Sequence, residues 1–315
     1  MPLQSGLKTQ KLKQTYYSNG KLLLTGEYVV LNGAKALAVP TKFGQSLIVA
    51  SGTDNLIQWK SFDSDNTVWF EDSIRFDEII SKTKSNDFSD VKTKLIAILH
   101  QAYIQNPTFI SESKGYIIET KLTFPRLWGL GTSSTLLNNI AQWLNIDAFE
   151  LLQKSFGGSG YDIACAQTNK PIIYTLKNSE PHFEIVPFNP TFKKNIHFVY
   201  LNKKQSSSNA ISNYISKQHK VDKIIAKIDT ITEEALLVNE GRDFALLMEK
   251  HQAIMSDVLE AETVKELLFH DFKGVVKSLG AWGGDFVMVL SKNDPTDYFR
   301  AKGYTTILTY DEMVL

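Results

Sequence analysis

Apolar and polar positions along this chain repeat with two different periods. Residues 116–122 step by two, with Tyr116, Ile118, Thr120 and Leu122 on one side and Ile117, Glu119 and Lys121 on the other, which predicts a half-buried strand. Residues 91–105 instead carry Val91, Leu95, Ile98, Leu99 and Ala102 at helical spacing, and Leu136, Leu137, Ile140, Ala141 and Leu144 form a second apolar helical face. Residues 21–31, 47–59, 196–201 and 285–290 read as further strands, and 223–239 and 243–259 as amphipathic helices. The two kinds of element mix without the regular alternation of a doubly wound sheet, which predicts an α+β fold. Pro181, Pro187 and Pro190 mark residues 178–194 as a connection, so the chain is expected to divide into halves 1–188 and 189–315.

Composition narrows the partners. The 315 residues hold 34 Lys+Arg against 34 Asp+Glu, so the cationic surplus that neutralises a phosphate backbone is missing and nucleic acid is not an expected partner. Cys165 is the only cysteine, which excludes an intrachain disulfide and a cysteine-rich zinc site and suits a reducing, cytoplasmic setting. No run of eighteen apolar residues occurs, and the polar, lysine-bearing start lacks the apolar stretch of a secretory signal, so no membrane association is expected. The six histidines show no H-x-x-x-H pair and are read as surface or core residues.

Glycine clusters carry the candidate chemistry. Pro125-Arg-Leu-Trp-Gly-Leu-Gly-Thr-Ser-Ser-Thr135 lies between a predicted strand and a predicted helix. The first turn of a helix has free N–H groups and a partial positive charge, so Gly129, Leu130, Gly131, Thr132, Ser133 and Ser134 are placed to wrap a phosphate chain. The pattern is neither a P-loop nor a dinucleotide fingerprint, and the bland alternative is a hydroxyl-capped helix start. In a second cluster, Gly157-Gly-Ser-Gly-Tyr-Asp-Ile-Ala164, Asp162 reads either as a helix cap or as a carboxylate that orients or deprotonates a substrate. The third, Gly280-Ala-Trp-Gly-Gly-Asp285, is at minimum a tight turn before a strand. Near the start, Lys21 and Glu27 flank a short apolar run, and a lysine there could stabilise charge on a transferring phosphoryl group.

Together and in this order, these segments resemble the motifs of the GHMP kinase superfamily, which includes the galactokinases, homoserine kinases, mevalonate kinases and phosphomevalonate kinases. Residues 20–31 resemble the first motif, 125–135 the second (P-x-x-x-G-L-G-S-S-A) and 280–290 the third, so the resemblance spans nearly the whole chain. Within the superfamily, Gly26-Glu27-Tyr28 is similar to the G-E-Y of phosphomevalonate kinases, where mevalonate kinases tend to have G-E-H. Residues 158–164 and 277–285 are likewise similar to the phosphomevalonate kinase stretches G-S-G-F-D-V-A and K-S-S-G-A-G-G-G-D. Departures are Thr132 and Thr135 for a serine and an alanine, Leu127 for a lysine with Arg126 beside it as a possible substitute, and Trp282 for a glycine, where its bulk is expected either to narrow the pocket or to alter the loop.

The resemblance implies a two-lobed fold, ribosomal-protein-S5-like then ferredoxin-like, with the active site in the cleft. It implies ATP and magnesium as cofactors and a small hydroxyl- or phosphate-bearing acceptor, most similar to 5-phosphomevalonate in isoprenoid precursor synthesis. Ser133 would hold magnesium, with the second metal ligand unassigned and Glu150 considered for it. Lys21 and Asp162 would be catalytic. Glu27, Tyr28, Ser159, Gly160, Ser207, Ser208, Gly283, Gly284 and Asp285 would face the acceptor. Alternatives are mevalonate kinase, diphosphomevalonate decarboxylase, or a catalytically silent ATP- or metabolite-binding protein on the same fold. The protein is expected to be a monomer or homodimer.

Overall fold

The computed structural model of the protein describes residues 13–81, 90–216 and 221–315, with the side chains of 207–209 outside that description. The polar start up to residue 12 is outside it as well. In the first half β1 (Gln14–Leu23), β2 (Ala36–Ser51), β3 (Leu56–Phe62) and β4 (Val68–Arg75) are followed by helices α1 (Phe76–Ser81), α2 (Val91–Gln105) and α3 (Thr108–Ser111). Then come β5 (Tyr116–Leu122), α4 (Thr132–Leu144), α5 (Ala148–Ser155), α6 (Tyr161–Ala166), β6 (Ile172–Lys177) and β7 (Glu180–Ile185). These strands form one seven-stranded sheet in the order β4-β3-β5-β2-β6-β7, with β1 paired antiparallel along β2. The apolar faces of α2, α4 and α5 bury Leu95, Leu99, Leu137, Ile140 and Leu151 against Leu47, Trp59 and Ile118 of the sheet.

The second half runs β8 (Ile196–Tyr200), α7 (Ser207–Ser216), α8 (Asp222–Leu237), α9 (Gly241–Leu259), α10 (Val264–Leu268), β9 (Val275–Ser278), β10 (Phe286–Leu290), α11 (Thr296–Ala301), β11 (Ile307–Thr309) and α12 (Tyr310–Met313). Its sheet has the order β11-β8-β10-β9 with every pairing antiparallel. That is the 4-1-3-2 order of a ferredoxin-like βαββαβ unit, with helices on the connections β8 to β9 and β10 to β11. One core joins the halves: Leu22, Val39, Phe124 and Leu130 pack with Phe198, Phe244, Phe286 and Met288. No described helix is long and apolar enough to cross a membrane.

Several strands differ from the sequence reading for local reasons. The strand expected over residues 21–31 ends at Leu23, because Gly26 and Tyr28 take left-handed φ values and 29–32 coil into a short 3-10 turn. The run 47–59 is broken by Asp54 and Asn55, also left-handed, residue types that tolerate this conformation. Within the expected connection 178–194 lies β7, an exposed edge strand, where Pro181 is tolerated because only one side needs hydrogen bonds.

Polar residues fix α4 on the sheet. Thr135 Oγ1 donates to Gln45 Oε1 at 2.7 Å, Asn139 Nδ2 to the Gln45 carbonyl at 2.9 Å, and Ser18 Oγ to Asn139 Oδ1 at 2.7 Å. Each of these groups is buried, so leaving one unpaired would cost about 1–3 kcal/mol, and the helix is held in one register.

The crossing of β1 by the 125–131 loop depends on Gly20. The register of β1 on β2 shifts between Asn19 and Lys21, and a Cβ on Gly20 would lie 2.8 Å from the Leu130 carbonyl oxygen and 2.8 Å from Thr41 Oγ1. With no side chain there, the Lys21 N–H donates to that carbonyl at 3.0 Å. Gly20→Ala is expected to destabilise the fold by about 1–3 kcal/mol, as overpacking against backbone does, read as a lower urea midpoint with an unchanged slope.

Candidate functional site

The 125–131 segment folds as a short 3-10 turn that ends in two left-handed glycines, and Gly131 is the N-cap of α4. Gly131 has no side chain with which to cap this helix. The hydroxyl-capped alternative therefore does not describe it, and the first N–H groups of a 13-residue helix, those of Thr132, Ser133 and Ser134, point to an open end with the helix dipole behind them. Ser133 is exposed there, whereas Ser134 is buried.

Lys21 reaches this loop and Asp162 reaches the helix start that follows it. Lys21 is buried on β1, its Nζ 3.4 Å from the Gly129 carbonyl and 5.4 Å from the Tyr161 ring centroid. Asp162 is in the first turn of α6, whose N-cap is Gly160, so it is not a capping residue. Its Oδ2 accepts from Ser134 Oγ at 3.1 Å, while Oδ1 is buried without a partner among the described residues. A buried, unpaired carboxylate oxygen is costly, and its position beside an uncapped helix start is where a ligand would satisfy it. Burial, and then the Asp162 charge beside it, push the Tyr161 phenol well above its usual range.

The third loop closes on the second. A Cβ on Gly129 would lie 2.3 Å from Asp285 Cγ, so the left-handed glycine is needed both for the turn and for the approach of this carboxylate. Asp285 accepts from the Gln205 N–H at 3.1 Å and from Lys204 Nζ at 3.4 and 3.5 Å. Gln205 packs over Gly284 and donates to the Trp282 carbonyl at 3.1 Å, so the 203–206 loop docks on the third loop.

Six of the candidates, Lys21, Glu27, Tyr28, Gly129, Ser159 and Asp285, line one cleft. Tyr161, Trp128 and Gly280 also line it, and nothing in the sequence marks any of the three as a site residue. Asp162, Thr132, Ser133 and Ser134 lie outside that lining but adjoin it through Gly129 and Tyr161. Gly160 opens α6 beside Ser159, whose carbonyl accepts from the Tyr174 hydroxyl. Gly283 and Gly284 lie under Gln205 and do not line the cleft, where Gly280 and Ala281 stand instead. Ser207 and Ser208 begin α7, with side chains outside the described residues.

Two expectations change. Trp282 does not narrow the cleft: its indole Nε1 donates to the Glu262 carbonyl at 2.9 Å, and its ring packs on the cluster of Tyr28, Tyr214 and Met255. Arg126 is no free substitute for a phosphate-binding lysine, because it pairs with Asp63 at 3.7 Å and lies over the Trp69 ring. The second metal ligand stays unassigned: Glu150 is in the first turn of α5, and no cluster of three or more His, Cys, Asp or Glu side chains that could hold a metal forms among the described residues.

A buried cluster behind Glu27 was not anticipated. Glu27 Oε1 accepts from Lys277 Nζ at 2.5 Å, and Oε2 is 3.2 Å from His251 Nε2. Burial pushes the Glu27 carboxyl up and Lys277 down, each opposed by the other's charge. The Tyr28 phenol, which accepts from the Trp282 N–H at 2.7 Å, is pushed up to about 12 by burial first. The one sequence signal was a lysine inside the apolar run Val275-Val276-Lys277, where a strand with both faces covered has no exit for a charge.

No family model and no curated sequence matches the chain. Solved structures do. Methanococcus jannaschii mevalonate kinase superposes with a TM-score of 0.68 at 18% identity, covering 96% of this chain and 99% of that one. Lactococcus lactis galactokinase, solved with galactose, gives 0.68 at 14% identity, covering 94% and 92%. Streptococcus pneumoniae phosphomevalonate kinase, solved with phosphomevalonate and AMPPNP, gives 0.66 at 16% identity, covering 92% and 95%. The chain therefore has the two-lobed α+β fold of the GHMP kinases, as its motifs predict.

Burial, followed by the Lys277 charge, holds the His251 ring well below its ordinary value of 6.5, so the folded state keeps it neutral. Below that value the unfolded chain binds a proton that the folded one refuses, so this contribution is present above pH 6.5 and is lost as pH falls. Urea titrations from pH 7 to 5 should show wild-type stability falling more steeply than that of His251→Gln, by up to about 1.4 kcal/mol per pH unit.

Proposed function

We propose that the protein is an ATP-dependent kinase of a small acceptor, and that the acceptor is a phosphomonoester, 5-phosphomevalonate, converted to its diphosphate. The observation that carries the kinase reading is the meeting of an uncapped α4 start, buried Lys21 and the unpartnered Asp162 Oδ1 around one glycine turn. The acceptor reading rests on the likeness of 26–28, 158–164 and 277–285 to phosphomevalonate kinases and on a chemical argument. A phosphomonoester is largely ionised at neutral pH, with its second pKa about 6, and needs no base to remove a proton.

The N–H groups of Thr132, Ser133 and Ser134 would hold the phosphate chain of ATP. The residues present fit a magnesium ion: Asp162 Oδ1 is an unpartnered hard oxygen, and the exposed Ser133 hydroxyl stands at the helix start. When bound, magnesium neutralises charge on the phosphates. Lys21 would stabilise the three equatorial oxygens of the transferring group, and Asp162, held by Ser134, would align the attacking oxygen. That oxygen bonds to the terminal phosphorus as the bridge to the β-phosphate breaks, and ADP leaves with the electron pair. Glu27, Tyr28, Ser159 and Asp285 would form the acceptor wall, opposite the helix start.

The alternative of a catalytically silent binding protein on the same fold rests on two features, Trp282 in a glycine loop and the unassigned second magnesium ligand, and the first of them is removed by the structure. With that ring packed on the Tyr28 cluster and outside the cleft lining, nucleotide binding without turnover of any acceptor would be needed to support this second reading.

Coupled ADP release with mevalonate, phosphomevalonate, homoserine and several sugars is the direct test, and phosphomevalonate should be turned over fastest. Preference for mevalonate would overturn the acceptor and leave the kinase reading standing. Asp162→Asn and Lys21→Met should each lose about a hundredfold or more in rate while the melting temperature is kept.

A further inference from the structure

The cleft wall bearing Glu27 and Tyr28 is held by groups with no part in the proposed chemistry. Lys277 has no exposed side-chain surface and donates to Glu27 Oε1 at 2.5 Å and to the Ser278 carbonyl at 3.0 Å. His251, equally enclosed on α9, accepts the Gly26 N–H at Nε2 at 3.0 Å. A ring that accepts at Nε2 carries its proton on Nδ1, in keeping with a neutral imidazole. Lys277 and His251 come from the second half of the chain, and both act on two adjacent residues of the first.

The arrangement is strict because neither charge has another outlet. A buried ion survives only if its partner stays, and removing one member leaves the other uncompensated. The turn that they hold is also strained: Tyr28 takes φ 63, a left-handed value for an aromatic residue, which persists only where the surroundings over-determine it. The surroundings here are the Gly26 N–H on His251, the Glu27 carboxylate on Lys277, and the Tyr28 hydroxyl accepting from the Trp282 N–H at 2.7 Å. Lys277 also sits at the root of the third loop, so the pair fixes the turn against the very segment that supplies Gly280 and Ala281 to the cleft. The phosphate side has separate supports: Lys21 N–H on Leu130, Ser134 on Asp162, and the Thr135 and Asn139 bonds to β2.

We infer that Lys277 and His251 are positioning residues for the Glu27–Tyr28 side of the cleft, acting across the two halves of the chain and independently of the phosphate loop. Naming that side the acceptor side rests on the kinase reading; the positioning itself does not.

The test uses the full-length protein with Lys277→Met and the double variant Glu27→Gln/Lys277→Met. The double variant removes both charges, so it stays measurable if the single one fails to fold. Amide hydrogen exchange, followed by mass spectrometry, reads the positioning without any substrate. In the double variant, peptides covering 24–32 and 279–284 should exchange about tenfold faster or more, while those covering 129–144 stay within about twofold of wild type. Kinetics then read the consequence: kcat/KM for phosphomevalonate should drop about tenfold or more, with the Kd of a fluorescent ATP analogue within about twofold of wild type. The double variant should melt above Lys277→Met, since no lone buried charge remains, without recovering turnover.

Uniform acceleration of exchange along the chain, or none, would overturn the inference, as would equal losses of ATP affinity and turnover or a double variant with wild-type kinetics. If wild-type protein turns over no acceptor, the kinase reading fails, and the exchange data alone still decide the positioning.

Discussion

The site hangs on one backbone crossing. Where β1 passes under the 125–131 loop, Gly20 removes a side chain and the next N–H, that of Lys21, bonds the Leu130 carbonyl. This contact, together with the Thr135 and Asn139 bonds that hold α4 on β2, sets the distance between the lysine and the start of α4. From it follow the position of Lys21 Nζ at the Gly129 carbonyl, the face of α4 that meets α6, and the bond from Ser134 to Asp162. A helix start with free N–H groups is common in proteins. Here it is set apart by a cation and an unsatisfied carboxylate brought to the same turn by separate elements.

The second constraint is electrostatic and joins the halves. The core shared between the sheets is apolar and non-directional, so it resists separation but specifies angle weakly. The Glu27–Lys277 contact is directional and desolvated, and it lies where the two walls of the cleft meet. Such pairs contribute little net stability, but a wrong alignment strands two charges, which is a strong reason for one alignment to be kept.

Much of this was legible in the residues, and the failures have physical causes. The period-two run at 116–122 and the helical face at 91–105 appear as β5 and α2 with the expected bounds; β5 buries Ile118, Thr120 and Leu122 on one side, and α2 buries Leu95, Ile98, Leu99 and Ala102 of its predicted face while Val91 stays exposed. The 21–31 stretch misled because its apolar residues Leu22, Leu23, Val29 and Val30 are buried by a strand and a turn in succession, and a run of burial carries no mark of where the backbone reverses. Of the site, Lys21, Glu27, Tyr28, Gly129, Ser159 and Asp285 share a cleft, whereas Gly283 and Gly284, from the same loop as Asp285, lie under Gln205 instead. His251 was passed over as an ordinary histidine, since its role depends on a partner 225 residues away, and nothing local in a helix announces that. Tyr161 and Trp128 sat inside quoted motifs, but their place in the wall is set by tertiary packing alone.

Trp282 has a mechanical consequence. A glycine loop ordinarily flexes by itself, yet here the ring is pinned to the Glu262 carbonyl at the corner between α9 and α10, and the amide of the same residue is pinned to Tyr28. The loop is thereby geared to that corner. Widening the cleft at 280–285 must drag the end of α9 along or break the indole bond, so the pocket breathes as part of a larger lever and not as a hinged flap.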